Sequence, residues 1–236
     1  MKNLTVKCGS VEISNSNSFC LIAGPCQLET EQHAMDMAGK IKEITTRLGI
    51  GFIFKTSFDK LVQEVEEKDR RHVNSSVDIE VILHIFAHAL DHPNAEVDEL
   101  SFFNQICHAV DMVYNRVDGA YSVIGTIMNK GMFVFRDPHG IRPLVKGIRK
   151  NDDGTVDYIF ASENTMFYAM GYEPQGTVLP GELIYVDENG EIFSKRLIKK
   201  EFNPCIFEYV YFARPDATLN DVSVYRSRLR MGQNLA

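Results

Sequence analysis

The spacing of apolar and polar positions changes along the chain, and the change divides it into two parts. In the first part, two short apolar runs at residues 19–23 and 51–55 flank a segment, residues 29–48, whose apolar positions recur at helical spacing. This order predicts one βαβ unit, with two buried parallel strands and a right-handed crossover. A hairpin pattern at residues 4–7 and 11–14 precedes it.

Beyond Lys60 the pattern belongs to a different kind of domain. A charged stretch leads to Asn74-Ser75-Ser76, which we expect to cap an amphipathic helix that runs to about residue 89. A second helix is predicted over residues 97–114 from its apolar stripe. We place the seam between the two patterns at Lys60/Leu61.

From Gly119 onward the sequence favours strands joined by tight turns. Residues 129–131 and 187–190 read as hairpin turns, residues 158–162 as a strand and residues 163–170 as a short helix. The tail from residue 223 is helical in pattern and is predicted to end at Gly232. The second part is therefore expected to be a largely antiparallel α+β block over about residues 75–230.

Composition narrows the class of protein and of partner. The chain has 236 residues, of which 44% are hydrophobic and 24% charged, as expected for a globular protein with one or two cores. The net charge is −7 and most basic residues are dispersed, so we expect no nucleic acid partner. The longest apolar stretches are shorter than a membrane span, so we expect no membrane partner.

The five cysteines are odd in number, widely spread and without C-x-x-C spacing, which favours reduced thiols in a cytoplasmic protein. Residues 1–18 are polar and mixed, unlike a secretory signal. Cys26 follows an apolar run at the sequence AGPC, where a strand of a parallel sheet would present a ligand-binding edge. Lys55 and Lys60 follow the next run and suit phosphate or carboxylate binding, although by spacing alone a lysine-containing surface turn is the favoured interpretation.

The segments IAGPCQLE and FIFKTSFDK resemble the opening of 3-deoxy-D-manno-octulosonate-8-phosphate synthase, a TIM-barrel enzyme. The resemblance covers residues 1–60. It implies that Lys55 contacts phosphoenolpyruvate, that Lys60 opens the loop for the sugar phosphate and that Cys26 ligates a metal ion. Because Lys60 is followed by LVQEV rather than by the rest of that loop, we expect all three to be vestigial and no cofactor to be bound.

Residues 61–236 resemble the glutaminase half of amidophosphoribosyltransferase, the enzyme of the first committed step of purine synthesis. The segments EEKDRRHVNSSVDIE, AYSVIGTIMNKGMFVFRDPHGIRPL, ASENT and NPCIFEYVYFARPD carry this resemblance. It implies an α+β fold, an incomplete Ntn-hydrolase domain of the class II glutamine amidotransferase type. The βαβ fragment of a TIM barrel would precede it.

In that family an N-terminal cysteine attacks glutamine and its own α-amino group acts as the base. Here residue 1 is Met and residue 2 is Lys, and the family's H-x-R-Y and H-N-G-N segments are absent. We therefore expect no catalytic residue, and an enzyme family member without activity of its own. The resemblance places Asp78 at the position that binds the glutamine α-ammonium, although spacing alone equally indicates a solvated acid in the first turn of a helix.

Several other residues allow a functional and a structural interpretation. Arg136 and Asp137, with the Pro-His-Gly turn after them, suit either a site or a charge-capped hairpin exit. Arg142 and Arg214 suit a domain interface better than catalysis. Cys205 aligns with a cluster-ligating cysteine of some family members, but a buried thiol is the simpler interpretation.

A row of possible metal ligands recurs at every fourth position, Glu80, His84 and His88, with His92 beyond. The row lacks the H-E-x-x-H arrangement, so we expect a solvated helix face rather than a zinc site.

Three hypotheses about function follow from these patterns. The first is an inactive amidophosphoribosyltransferase-type domain that binds glutamine weakly at most. The second is an interaction module that associates with itself or with intact amidophosphoribosyltransferase. The third is a gene fusion without a selected role, in which the first 60 residues remain a synthase fragment.

Overall fold

The computed structural model describes residues 5–9, 11–14, 19–23, 31–54, 60–74, 77–92 and 101–235. It divides the chain into two compact units, Met1–Lys68 and Asp69–Ala236. This division lies a short distance after the predicted seam at Lys60/Leu61. The two units are described separately.

Unit 1 contains the predicted βαβ arrangement. Strand β3 (Cys20–Ala23) leads to helix α1 (Glu31–Arg47) and then to strand β4 (Gly51–Phe54), and β3 and β4 are parallel. Gly49 has a φ of 67°, a left-handed conformation that ends the helix at low cost. The remaining elements are strands β1 (Val6–Cys8) and β2 (Val11–Ile13), which form an antiparallel hairpin, and helix α2 (Lys60–Lys68).

The expectation that both strands of this unit are buried is wrong. Phe19, just before β3, is 69% exposed, and Ile22 within it is 56% exposed. The described sheet of β3 and β4 has two strands, and a sheet of that size with one helix leaves apolar side chains uncovered. Apolar character alone therefore overestimated the burial of this segment.

Unit 2 is the α+β block predicted from the turn-rich pattern. Its helices are α3 (Asp78–Asp91), α4 (Phe102–Arg116) and α5 (Val224–Leu235). Its first sheet is antiparallel, in the order β11 (Ile192–Arg196), β10 (Glu182–Asp187), β6 (Gly131–Arg136) and β5 (Ser122–Ile127). Its second sheet is also antiparallel, in the order β8 (Val156–Ala161), β7 (Val145–Lys150) and β9 (Glu173–Thr177), and β12 (Thr218–Leu219) and β13 (Val222–Ser223) form a separate pair.

The hairpins β5–β6 and β10–β11 form around the turns predicted at residues 129–131 and 187–190. Asn129 adopts a φ of 58°, which asparagine tolerates better than most residues.

Successive side chains of β6 point to opposite faces of the sheet, so they contribute to two separate apolar clusters. Phe133 stacks on Phe86 of α3 with ring centroids 4.4 Å apart, and Phe135 meets Tyr114 of α4 edge to face. The side chain between them, Val134, projects from the opposite face of the sheet. It belongs to a buried cluster with Leu144, Val178 and Ile184. Burying an apolar side chain of this size is worth about 1.5–3 kcal/mol.

Element ends differ from the predictions in several places. The N-cap residue of α3 is Val77, which makes no side-chain hydrogen bond, and Ser75 and Ser76 of the predicted capping cluster lie outside the described residues. Residues 93–100 lie outside the described residues, and α4 is described from Phe102 to Arg116. In place of the short helix predicted over residues 163–170 there is one 3-10 turn, Tyr168–Met170.

The C-terminal helix passes its predicted end. Gly232 lies within α5, which continues to Leu235. A glycine inside a helix costs about 1 kcal/mol, and the turn on either side can offset that cost. Within the described ranges, no helix is long and apolar enough to cross a membrane.

Candidate functional site

Asp78 begins helix α3 and is exposed. Together with Glu80 it places negative charge in the first turn, where the helix dipole and the free N–H groups favour it. The predicted site residue is therefore an accessible carboxylate on a rigid element. Such a carboxylate can accept hydrogen bonds from a ligand ammonium group.

The flank of α3 that carries Glu80, His84 and His88 is partly buried, so the expectation of a solvated face is wrong. The side chains of Glu80 and His84 are each 17% exposed, and His84 Nε2 lies 3.4 Å from Glu80 Oε1. His88 stacks on His92 with ring centroids 4.7 Å apart. Among the described residues, no group of three or more His, Cys, Asp or Glu side chains could hold a metal ion.

Asp69 joins this flank to helix α4. Arg116 Nη1 donates to Asp69 Oδ2 at 2.7 Å, and His88 Nε2 lies 3.9 Å from Asp69 Oδ1. Arg71 pairs with Asp91 at the end of α3. The charged residues that precede α3 therefore connect the segment before this helix to helices α3 and α4.

The Arg136-Asp137 pair forms a buried clamp for the loop that follows β6. Backbone N–H groups of His139, Ile141 and Arg142 donate to the Asp137 carboxylate at 3.0–3.1 Å. Asp137 has no exposed surface. Hydrogen bonds to a charged group are worth about 1.5–3 kcal/mol each, so this carboxylate fixes the loop.

Arg136 also holds this loop in place, through hydrogen bonds of its guanidinium group. Its guanidinium donates to the carbonyl oxygens of Arg142, Gly140 and Val178 and to Oδ1 of Asn220, at 2.6–3.1 Å. Burial lowers the pKa of Arg136 from its ordinary value. These contacts favour the structural interpretation of the pair over a catalytic one.

Arg142 and Arg214 form ion pairs within unit 2. Arg142 Nη1 lies 2.5 Å from the buried Glu208 carboxylate, and its guanidinium sits over the Phe212 ring. Arg214 pairs with Asp216, and its backbone N–H donates to Glu163. Both arginines thus anchor the segment around the π-helical turn Glu208–Phe212. A domain interface remains a prediction for them.

Sequence reasoning did not single out two tyrosines beside the clamp. The Tyr114 hydroxyl donates to the carbonyl oxygen of Arg136 at 3.0 Å. The Tyr121 hydroxyl is buried and, among the described residues, has no hydrogen-bond partner. Burial raises the pKa of both phenols, so they stay neutral. No local motif marks them, because their role depends on residues brought together by the fold.

The remaining predicted site residues are not assembled into a site. Cys26 and Lys55 lie outside the described residues. Lys60 is the first residue of α2, in unit 1, whereas Asp78 belongs to unit 2. Cys205 is a partly exposed free thiol.

Comparison with known proteins assigns the two parts of the chain to different relatives. Residues 3–66 match the DAHP synthetase I family. This match agrees with a separate origin for the N-terminal part. It is coarser than the octulosonate-8-phosphate synthase predicted from sequence.

The larger part is similar to amidophosphoribosyltransferases. The chain is 43% identical to that of Haemophilus influenzae over 182 residues, which are 76% of this chain and 35% of the relative. It is 40% identical to those of Escherichia coli and Saccharomyces cerevisiae, over 76% and 75% of this chain and 35% of each relative. The chain therefore spans about a third of the length of the curated relatives it matches.

Two solved structures share the fold. The glutamine phosphoribosylpyrophosphate amidotransferase from B. subtilis, complexed with ADP and GMP, matches with a TM-score of 0.57 and 28% identity, over 74% of this chain and 34% of that one. A structure described as the allosteric regulatory enzyme of purine biosynthesis matches with a TM-score of 0.59 and 27% identity, over the same shares. The predicted fold class, α+β with a partial Ntn-hydrolase domain after a βαβ fragment, is confirmed. Over about three quarters of its length, this chain is similar to the amidophosphoribosyltransferases.

Proposed function

We propose that the chain is a glutaminase-type domain of the amidophosphoribosyltransferase kind that keeps a carboxylate for the glutamine α-ammonium and does not itself hydrolyse glutamine. The observation that carries the proposal is the exposed Asp78 carboxylate at the start of α3. The similarity to amidophosphoribosyltransferases supports glutamine as the ligand, because amidotransferases of this kind act on glutamine. The domain would then derive from an enzyme of purine biosynthesis.

The chemistry of glutamine hydrolysis supports the proposed lack of activity. The reaction requires a thiol and a free α-amino group on one residue, with oxyanion donors beside it. The described cysteines lie at internal positions, on β1, on β3, on α4 and before the π-helical turn, so we do not propose any of them as such a nucleophile. Each missing element is worth orders of magnitude in rate.

The N-terminal 60 residues are proposed to be a fragment of an octulosonate-8-phosphate synthase, and the domain division 1–60 and 61–236 is part of this proposal. One βαβ unit supports that origin, because such a unit is the repeating element of a TIM barrel. Lys55 and Lys60 would be remnants of phosphate contacts and Cys26 a remnant of a metal ligand. A divalent metal site needs three or four ligands, so one thiolate does not restore it.

Glutamine binding tests the proposal directly. Titration calorimetry of the purified chain with glutamine is expected to show weak binding that Asp78→Asn reduces about tenfold or more, because the ammonium loses its charged acceptor. The matched control is Asp152→Asn, an exposed acid on the turn between β7 and β8, which should bind as the unaltered chain does. Binding that is unaffected by Asp78→Asn would contradict the assignment of this residue.

A second candidate function is an interaction module for intact amidophosphoribosyltransferase subunits. An apolar surface around the π-helical turn favours it, because several of its large side chains are about half exposed or more. They are Ile206, Phe207, Val210, Tyr211 and Phe212, with Tyr225 and Leu229 on α5. Large exposed apolar patches commonly mark protein interaction sites.

Size-exclusion chromatography with an intact amidophosphoribosyltransferase tests this second function. The mixture is expected to elute earlier than either component, and the double change Phe207→Asp and Tyr211→Asp should abolish the shift. Ile192→Asp, an exposed apolar residue of β11, is the matched control. Separate elution of the two proteins at micromolar concentrations would exclude the interaction.

A further inference from the structure

Strand β5 forms one edge of the four-stranded sheet. In the order β11-β10-β6-β5 it pairs with β6 alone among the described strands. An edge strand presents a row of backbone N–H and C=O groups that can pair with another strand. Charged side chains or proline on an edge strand oppose this pairing.

The hydrogen-bonding pattern fixes which residues of β5 face outward. Asp137 N donates to Tyr121 O, so these opposite residues form a hydrogen-bonded pair. Pairs alternate along an antiparallel ladder, and therefore Val123 and Gly125 also bond to β6. The backbone groups of Ser122, Ile124 and Thr126 consequently point away from β6, to the free edge.

The two edges of the sheet differ in their protection. Strand β11 at the other edge carries Lys195 and Arg196, both exposed, and charged side chains discourage strand pairing. Strand β5 has the sequence SVIGTI, without charge and without proline. Ile124, at its centre, is 48% exposed.

Exposed apolar side chains also lie on helix α3, which packs on the face of the sheet opposite to the Ile124 side chain. Phe86 stacks on Phe133, and the Phe133 ring lies across Gly125 of β5, where an added Cβ would come within 2.4 Å of it. At 100° per residue, Ile79 and Leu83 lie on the helix face next to Phe86. Leu83 is 57% exposed. Both the strand and the helix above it therefore leave apolar groups uncovered.

We propose that β5 pairs antiparallel with β5 of a second copy of this chain, about a twofold axis at Ile124. In that register Ser122 lies opposite Thr126 of the other copy, and Ile124 lies opposite its own equivalent. Each of the three pairs exchanges two backbone hydrogen bonds, because all three residues present their groups outward. The product is one continuous sheet through both copies.

The segment is self-complementary in chemistry as well as in length. Hydroxyl residues meet hydroxyl residues, a β-branched residue meets itself, and no like charges face each other across the axis. A twofold interface requires this kind of self-complementarity. The contact is small, so a dissociation constant on the order of micromolar is expected. The pairing is independent of glutamine binding at Asp78, and each can fail without the other.

Substitutions of opposite charge at Ile124, the residue on the proposed twofold axis, test the pairing in the full chain. Sedimentation analysis is expected to show a dimer for the unaltered protein. Ile124→Lys and Ile124→Glu should each be monomeric, with dimerisation weakened at least about tenfold, because like charges then face each other. An equimolar mixture of the two variants should restore a heterodimer. The control Ile192→Lys, on the protected edge, should dimerise as the unaltered chain does.

Two results would overturn the proposal. One is an unaltered chain that stays monomeric at tens of micromolar. The other is a dimer that Ile124→Lys and Ile124→Glu leave intact. Because the mixed heterodimer forms only from folded variants, its formation separates a lost interface from a lost fold. Hydrogen exchange that is slowed at Ser122, Ile124 and Thr126 in the dimer would support the register.

Discussion

The parallel strands of unit 1 and the antiparallel sheet of unit 2 contain equally apolar segments but bury them differently. Ile22, within the apolar run of β3, is 56% exposed, whereas Phe135 of β6 has no exposed surface. The two-stranded sheet β3–β4 is described with one helix, whereas the sheet of unit 2 has four strands with helices on one face and a second apolar cluster on the other. Burial therefore depends on the number of neighbouring elements rather than on the apolar character of a strand.

The largest expected effect is the loss of the Asp137 clamp in unit 2. Asp137→Ala leaves three backbone N–H groups without their acceptor and the buried Arg136 without its counter-charge. We expect a loss of about 3–5 kcal/mol in the free energy of unfolding. Chemical denaturation followed by circular dichroism measures it. Asp152→Ala, which changes an exposed acid on the turn between β7 and β8, is the control and should leave the midpoint unchanged.

Truncating one residue in each sheet sharpens the comparison between the units. Phe133→Ala removes a ring that stacks on Phe86 and covers Gly125, and should cost about 3–5 kcal/mol. Ile22→Ala should cost less than about 1 kcal/mol, because most of its side chain is already in water. Equal losses, measured by denaturation of the two variants, would show that unit 1 has a core comparable with that of unit 2.

Two glycines should respond to alanine in opposite directions. Gly131 has a φ of 124°, and an added Cβ would lie 2.1 Å from Val186 O, so Gly131→Ala should cost about 2 kcal/mol or more. Gly39 lies within α1 and an added Cβ meets nothing within 4 Å. Gly39→Ala should therefore stabilise unit 1 by about 0.5–1 kcal/mol. Thermal unfolding of the two variants checks both signs.

The smallest expected effect is a dependence on pH at the surface of unit 2. The hydrogen bond from Arg149 holds the pKa of Asp157 below its ordinary value. A depressed carboxyl pKa contributes stability above the unfolded pKa of about 3.9, and this contribution is lost as pH falls through the folded value. The difference in melting temperature between the unaltered chain and Asp157→Asn should therefore shrink below about pH 4. A constant difference down to pH 2 would contradict the pairing.

Sequence reasoning succeeded where the determinant was local. The turns at residues 129–131 and 187–190 carry their own glycine and asparagine signals, and the hairpins form there. The change from a βαβ pattern to a turn-rich pattern is confirmed as a change of architecture, while the seam at Lys60 stays a prediction. The expected position of Asp78 in the first turn of a helix is also local, and Asp78 begins α3, while its role in binding glutamine stays a prediction.

Sequence reasoning failed where a feature of the structure depends on residues that are far apart along the chain. The role of Arg136 rests on Val178 and Asn220, which lie 42 and 84 residues away along the chain. The exposure of Ile22 and of Ile124 depends on which strands stand beside them. Neither fact can be obtained from the spacing of apolar residues, because spacing describes one element at a time.

Release of ammonia from glutamine by the purified chain tests the proposed function most directly. The chain is predicted to release no ammonia above a mock preparation, because the proposed ammonium site at Asp78 would have no positioned thiol and amine beside it to attack the amide. Asp78→Asn should leave that background unchanged. Ammonia release above the mock level that is abolished by Asp78→Asn would contradict the proposal and show that the domain is a working glutaminase.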